Sequence, residues 1–137
     1  MRLRRSTLKL SAVATIACCS LACVRFASDN RLPSELATIR SIRSISAAEL
    51  QYFLQNNKYA DTLATLSSAG LIPSTLASGD KDRYVFTLAL KPGGFAIQAA
   101  PKLFGSTGGR TFYSDQDGVI RQNLGPEPAT ENSPEVK

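Results

Sequence analysis

Residues 32–54 of this chain read LPSELATIRSIRSISAAELQYFL and contain its strongest structural pattern. Apolar side chains recur in this stretch every three or four residues, which is the period of an amphipathic α-helix. Asp29 and Asn30 are suited to cap the start of this helix and Pro33 to its first turn, while the asparagine pair before Lys58 suits its end. At 100° per residue the predicted core-facing residues share an arc of about 140°. They are Leu32, Leu36, Ile39, Ile42, Ala47, Leu50, Phe53 and Leu54.

The chain beyond this helix reads as an antiparallel sheet. A short helical turn near residues 62–66 and a loop to Gly79 come first. Four strand-like runs then follow, at 83–90, 94–100, 110–114 and 119–123. The sequence KPGG separates the first two runs and DQDG the last two, and both have hairpin-turn chemistry. We therefore predict an α+β fold, in which one long N-terminal amphipathic helix packs on an antiparallel sheet of three or four strands.

The N-terminus has the three-part build of an export signal. Residues 1–9 are basic, residues 10–23 are mostly apolar, and the small residues Ser20 and Ala22 precede a cleavage point. The box Ser-Leu-Ala-Cys ending at Cys23 resembles a lipoprotein cleavage site, which makes Cys23 a candidate lipid anchor, and residues 4–9, RRSTLK, resemble a twin-arginine signal. The choice between general secretion and twin-arginine export stays open.

These patterns divide the chain into four parts. We predict a signal segment at 1–22, a linker at 23–33, one α+β domain at 34–124 and a disordered polar tail at 125–137. The predicted localisation is exported, either periplasmic or membrane-anchored facing the periplasm, with an extracellular location as a further possibility.

Composition excludes much catalytic chemistry. The chain has no histidine, and its three cysteines all lie between residues 18 and 23. A Ser-His-Asp triad, a Cys-His pair and a histidine- or cysteine-rich zinc site each need residues that the predicted domain lacks. Four of the 16 basic residues precede residue 10, and the remaining 12 face 11 acidic ones, so no basic surface for nucleic acid is expected. We therefore predict that this protein is not an enzyme and does not bind nucleic acid.

The order of elements and several motifs resemble the head domains of type IV pilins and of type II secretion pseudopilins. The stretches that carry the resemblance are IRSIRSISAAELQYFLQNNKYADTLATL, YVFTLALKPGGFAIQAAP and GRTFYSDQDGVIR. The resemblance implies a pilin-like head that contacts other envelope proteins. Prepilins have a glycine at their cleavage point, whereas this chain has no glycine before Gly70. The usual filament-forming stalk is therefore not expected.

The candidate site residues are few. Asp115 and Asp117 in the last hairpin are candidate calcium ligands. The reason is the resemblance to pseudopilins, some of which bind calcium in a comparable late loop. Calcium needs six to eight oxygen ligands, and this hairpin offers two carboxylates and backbone carbonyls. No other cofactor is expected. The predicted function is an accessory structural subunit of a type IV pilus or type II secretion system, with envelope, pilus or secretion proteins as partners and the membrane reached through the signal segment or Cys23. The alternative is a stand-alone periplasmic lipoprotein or small-ligand binding module.

Overall fold

The computed structural model describes residues 31–137, so the predicted signal segment and Cys23 lie outside the described residues. In this part of the chain, three helices precede five strands. They are α1 (Arg31–Asn56), α2 (Leu63–Ser68), α3 (Ser74–Ala77), β1 (Asp80–Lys81), β2 (Tyr84–Lys91), β3 (Gly94–Pro101), β4 (Thr111–Asp115) and β5 (Arg121–Asn123). The predicted α+β class, with one long helix and an antiparallel sheet, is confirmed.

The five strands form one antiparallel sheet in chain order, β1-β2-β3-β4-β5. The sheet has one strand more than the predicted maximum of four. The additional strand is the two-residue β1, which pairs Asp80 with Val85 at the edge of the sheet. Both predicted hairpins are present. Gly93 and Gly118 have φ values of 76°, a left-handed conformation that glycine adopts without steric penalty, and this explains the KPGG and DQDG sequences.

The core lies between the sheet, α1 and the two short helices. Its largest fully buried apolar side chains come from every one of these layers. They are Ile42, Ile45, Leu66, Leu76, Tyr84, Ile97 and Phe112. The Tyr84 hydroxyl donates to the Arg110 carbonyl at 3.0 Å, so this buried aromatic ring also satisfies its polar atom.

The helix α1 turns a different face to the sheet from the one predicted. Its buried side chains are Glu35, Thr38, Ser41, Ile42, Ile45, Ala48 and Glu49. Of the eight residues predicted to face the core, Ile42 alone is buried, Ile39 and Phe53 are half-buried, and the others are exposed. The predicted core face is therefore wrong, although the predicted helix is correct.

Residues 125–137 are not the disordered tail that their polar composition predicted. The backbone N–H of Val136 donates to the Ile120 carbonyl at 2.9 Å, and that of Gln122 donates to the Pro134 carbonyl at 2.8 Å. Ala129 is fully buried, and the Thr111 hydroxyl donates to the Glu127 carbonyl at 2.7 Å. The segment thus covers the edge of the sheet beside β5, where unpaired backbone groups need partners.

Within residues 31–137, no helix has both the length and the apolar character that a bilayer span requires.

Candidate interaction surface

The buried face of α1 is polar because distant parts of the chain supply partners for it. The Glu35 carboxylate accepts a hydrogen bond from the Gly109 amide at 3.0 Å and lies 3.3 Å from Nε of Arg110. Thr38 is satisfied within α1 itself, since its hydroxyl donates to the Ser34 carbonyl at 2.8 Å. A buried polar group is tolerated when hydrogen bonds replace its hydration. These partners turn Glu35 and its neighbours inward.

Because this face is turned inward, four large leucines are left on the outside of α1. Leu32, Leu36, Leu50 and Leu54 are 60%, 57%, 57% and 77% exposed, and we call them the leucine row. At 100° per residue they fall within an arc of about 40°, roughly 145° around the helix from the centre of the buried face. The row extends along about 33 Å of the helix at 1.5 Å per residue.

Isolated exposed leucines are ordinary on protein surfaces, whereas apolar side chains gathered into one patch mark contact surfaces. Leu32 with Leu36, and Leu50 with Leu54, form two such pairs, about 21 Å apart along the helix. The members of the leucine row are spaced by four residues within each pair, which places both leucines of a pair on the same side of the helix. Arg43 lies midway between the two pairs and is exposed. The leucine row therefore has the geometry of a helix-docking surface with a cation at its centre.

A groove of about 510 Å³ lies beside the N-terminal half of the leucine row. Leu32, Leu36, Ile39 and Val136 supply its apolar lining, and the rest of its wall is charged. The charged members are Glu35, Arg40, Arg43, Arg110 and Lys137. Within residues 31–137, neither Arg40 nor Arg43 makes an ion pair, whereas Arg110 is paired with Glu35.

A second cleft, of about 530 Å³, lies between the C-terminal end of α1 and the β2–β3 hairpin. Phe53 stacks on Tyr59 with ring centroids 4.7 Å apart, and Tyr59 meets Phe95 edge-on at 5.2 Å. Leu90 and the side chains of two lysines complete the walls of this cleft. Phe95 thus belongs to the core, whereas Phe53 and Tyr59 form a wall of the cleft.

The calcium candidates Asp115 and Asp117 both have protein partners. Lys91 Nζ donates to Asp115 Oδ2 at 2.7 Å, and the other Asp115 oxygen accepts from the Asp117 amide at 3.0 Å. Asp117 accepts from the Val119 amide at 2.8 Å and lies 3.6 Å from Arg121. Within residues 31–137, no group of three or more acidic, histidine or cysteine side chains surrounds a common point. Calcium binding here stays a prediction.

Lys91, Tyr113 and Asp115 form a closed triangle of hydrogen bonds at the end of the sheet. The Tyr113 hydroxyl accepts from Lys91 at 3.1 Å and donates to Asp115 at 3.0 Å. Burial raises the pKa of Asp115, but the hydrogen bonds from Lys91, from Asp117 and from Tyr113 outweigh it and hold this pKa at about 2. The same contact with Asp115 raises the pKa of Lys91 above its ordinary value. The triangle is a structural clamp on the hairpin, since each of its charges is matched.

Glu49 is the other buried carboxyl group of α1, and its environment is less complete. Oε2 accepts from the Ala60 amide at 2.9 Å, whereas Oε1 has no hydrogen-bond partner among residues 31–137. Burial raises the pKa of Glu49 to about 7, the hydrogen bond from Ala60 lowers it, and the charge of Asp61 raises it slightly further. Glu49 therefore holds the loop after α1 in place through the bond from Ala60, while its burial disfavours the ionised form of the carboxyl group.

Sequence reasoning missed Glu35 and Glu49, although a signal was present. Glu35, Ile42 and Glu49 are seven residues apart, and Thr38 and Ile45 fall on the same side of the helix. This face contains two isoleucines but fewer large aliphatic residues than the opposite face, so hydrophobicity alone favours the wrong one.

Comparison with protein-family models, with curated proteins and with solved structures finds no match to this chain.

Proposed function

We propose that this chain is an exported, pilin-like interaction protein of the bacterial envelope, a divergent accessory subunit of a type IV pilus or type II secretion system. The leucine row is its contact surface. The observation that carries the proposal is the exposure of four aligned leucines on the longest helix of the domain. A structural role without catalysis fits this arrangement, because the two buried glutamates of α1 face backbone amides and Arg110.

The sequence before residue 31 supports the envelope part of the proposal. Its basic start, apolar run and small residues are typical of an export signal, and Cys23 is placed to accept a lipid. Intact-mass measurement of the protein from an envelope fraction tests this part. We expect a mature chain that begins at Cys23. A chain that still begins at Met1 and stays in the cytoplasm contradicts the proposal.

Photo-crosslinking in living cells tests the contact surface. A photoreactive amino acid at Leu50 is expected to capture neighbouring protein in the envelope fraction, because Leu50 is a 57% exposed member of the leucine row. The matched control is the same label at Leu124, an exposed leucine outside α1. Equal crosslinking from both positions, or none from Leu50, contradicts a role for the leucine row.

A stand-alone lipoprotein that binds a small ligand is the second candidate function. The observation that favours it is the aromatic cleft between Phe53, Tyr59 and Leu90, whose volume of about 530 Å³ lies within the usual range of ligand sites. Changing Tyr59 to Ala opens this cleft without touching the leucine row. If that change abolishes the biological role while Leu50→Asp does not, ligand binding is the better account.

A further inference from the structure

The spacing of the leucine row is symmetric about Arg43. Leu32 and Leu54 are each eleven residues from Arg43, and Leu36 and Leu50 are each seven residues from it. At 100° per residue Arg43 also falls in the middle of the arc that the four leucines occupy. A surface with this spacing is complementary to an antiparallel copy of itself.

We propose that two copies of this chain associate through an antiparallel pairing of their α1 helices, with a two-fold axis at Arg43. This inference rests on the proposed function, since it names a second copy as the occupant of the leucine row. In that pairing Leu32 of one copy faces Leu54 of the other, and Leu36 faces Leu50. Each member of the leucine row is thereby covered by a leucine of the second copy, and the symmetric contact closes at two subunits.

The size of the contact predicts how stable the dimer is. The paired helices touch over about 33 Å. One helix-helix contact of that length is smaller than a standard interface, which buries about 1,600 Å² in total. The dimer is therefore expected to be reversible and to depend on concentration. A pair of envelope-bound chains would be helped by their confinement to one surface.

Charge distinguishes a second copy from an acidic partner. Arg43 of each copy lies near the two-fold axis, and the two glutamates of α1 are buried, so the pairing brings like charges together. Arginine has a long side chain whose charged end reaches solvent while its stem covers apolar surface, which limits the repulsion. Salt screens what remains. The affinity of the dimer should thus increase as the salt concentration rises. The affinity of an acidic peptide for Arg40 and Arg43 should instead decrease as the salt concentration rises.

Crosslinking through single cysteines tests the geometry. The full chain is purified in mild detergent with Cys18, Cys19 and Cys23 replaced by serine, and a short bismaleimide is added. We expect Arg43→Cys to give a crosslinked dimer, because the two positions meet at the axis. Leu36→Cys alone should give none, since antiparallel pairing separates the two copies of position 36 by about 21 Å.

The combination of Leu36→Cys with Leu50→Cys should restore the crosslinked dimer. A dimer from Leu36→Cys alone indicates parallel helices and overturns the proposal. Failure of Arg43→Cys to crosslink also overturns it. Monomers captured by a different protein in the envelope leave the proposed function standing and refute only the second copy as occupant.

Sedimentation equilibrium of the same full chain tests the energetics. Leu50→Asp should weaken the dimer at least tenfold, whereas the matched control Leu124→Asp should leave it unchanged. Arg43→Leu should tighten it about tenfold. Mixing the parent with the Arg43→Glu variant puts opposite charges on the axis. The mixed dimer should therefore have a lower dissociation constant than either homodimer.

Circular dichroism establishes that each variant is folded before its dissociation constant is compared. If the folded parent sediments as a monomer at every concentration and instead binds vesicles of anionic phospholipid, or an acidic helical peptide, the proposal is overturned. Equal weakening by Leu50→Asp and Leu124→Asp overturns it as well.

Discussion

Replacing Glu49 with glutamine should stabilise the protein at neutral and alkaline pH. Glu49 is fully buried, and one of its oxygens accepts from the Ala60 amide. The other oxygen has no hydrogen-bond partner in the part of the chain that the structure describes. Glutamine has the same length, and its amide oxygen keeps the bond from Ala60. It removes the negative charge whose burial raises the pKa of Glu49 from 4.5 to about 7.

The pH dependence follows from the direction of that shift. The folded state holds the Glu49 proton more tightly than the unfolded chain, so the folded state loses stability as pH rises from about 4.5 to about 7. One pKa unit corresponds to about 1.4 kcal/mol, which makes the loss roughly 3 kcal/mol above pH 7. Below pH 4.5 the carboxyl group is neutral in both states. Glu49→Gln should therefore gain up to about 3 kcal/mol at pH 8 and little at pH 4.5.

Urea unfolding of the full chain between pH 4.5 and 8.5 measures this difference. With a slope of about 1 to 3 kcal/mol per molar urea, the midpoint at pH 8 should rise by about 1 M or more in Glu49→Gln. Glu127→Gln is the matched control, because the Glu127 side chain is exposed. The reasoning is refuted if Glu49→Gln shows the same pH slope as the parent, or if the control removes the slope equally.

Three further predictions follow from the packing of α1 and of the last hairpin. Leu50→Asp should change the free energy of unfolding by less than about 0.5 kcal/mol because its site is exposed, whereas Ile45→Ala should lower it by about 2 to 5 kcal/mol through a buried cavity, both measured by urea unfolding. Arg110→Met should cost about 3 kcal/mol at pH 7, since Glu35 is left as a buried charge with the Gly109 amide alone, and the loss should shrink when Glu35 is also changed to Gln. Millimolar calcium should leave the melting temperature unchanged, because the Asp115 carboxylate is occupied by Lys91, by Tyr113 and by the turn.

Each of these predictions has a result that contradicts it. Unfolding of Leu50→Asp would mean that the leucine row is part of the core. An Arg110→Met variant as stable as the parent would show that Gly109 alone suffices for Glu35. A calcium-dependent rise in melting temperature that Asp115→Asn removes would instead support calcium binding at the hairpin.

Much of the architecture follows from local sequence. The helical period of residues 32–54, with Pro33 in its first turn, predicts α1. The glycines at 93 and 118 predict both hairpin turns, because their positive φ is costly for other residues. The edge strand β1 and the short helix α3 were missed, since runs of two and four residues contain too little periodicity to be recognised.

The tail at 125–137 shows where composition misleads. Its polar side chains predict disorder because they offer little to bury. Its order in the fold comes from backbone hydrogen bonds to Ile120 and Gln122, which exist only once the last strand is in place. Composition describes side chains, and these bonds do not involve them.

The helical period of residues 32–54 and the turn chemistry of the later residues are enough to predict a helix followed by an antiparallel meander. Which side of that helix is buried depends instead on contacts between distant parts of the chain. Glu35 is held by residues more than 70 positions away and Glu49 by the loop that follows α1. A polar face can be buried only when such partners are brought to it. Because these partners hold the two glutamates on the buried side, the leucine row lies on the exposed side of α1. That exposed row is the surface on which the proposed function rests.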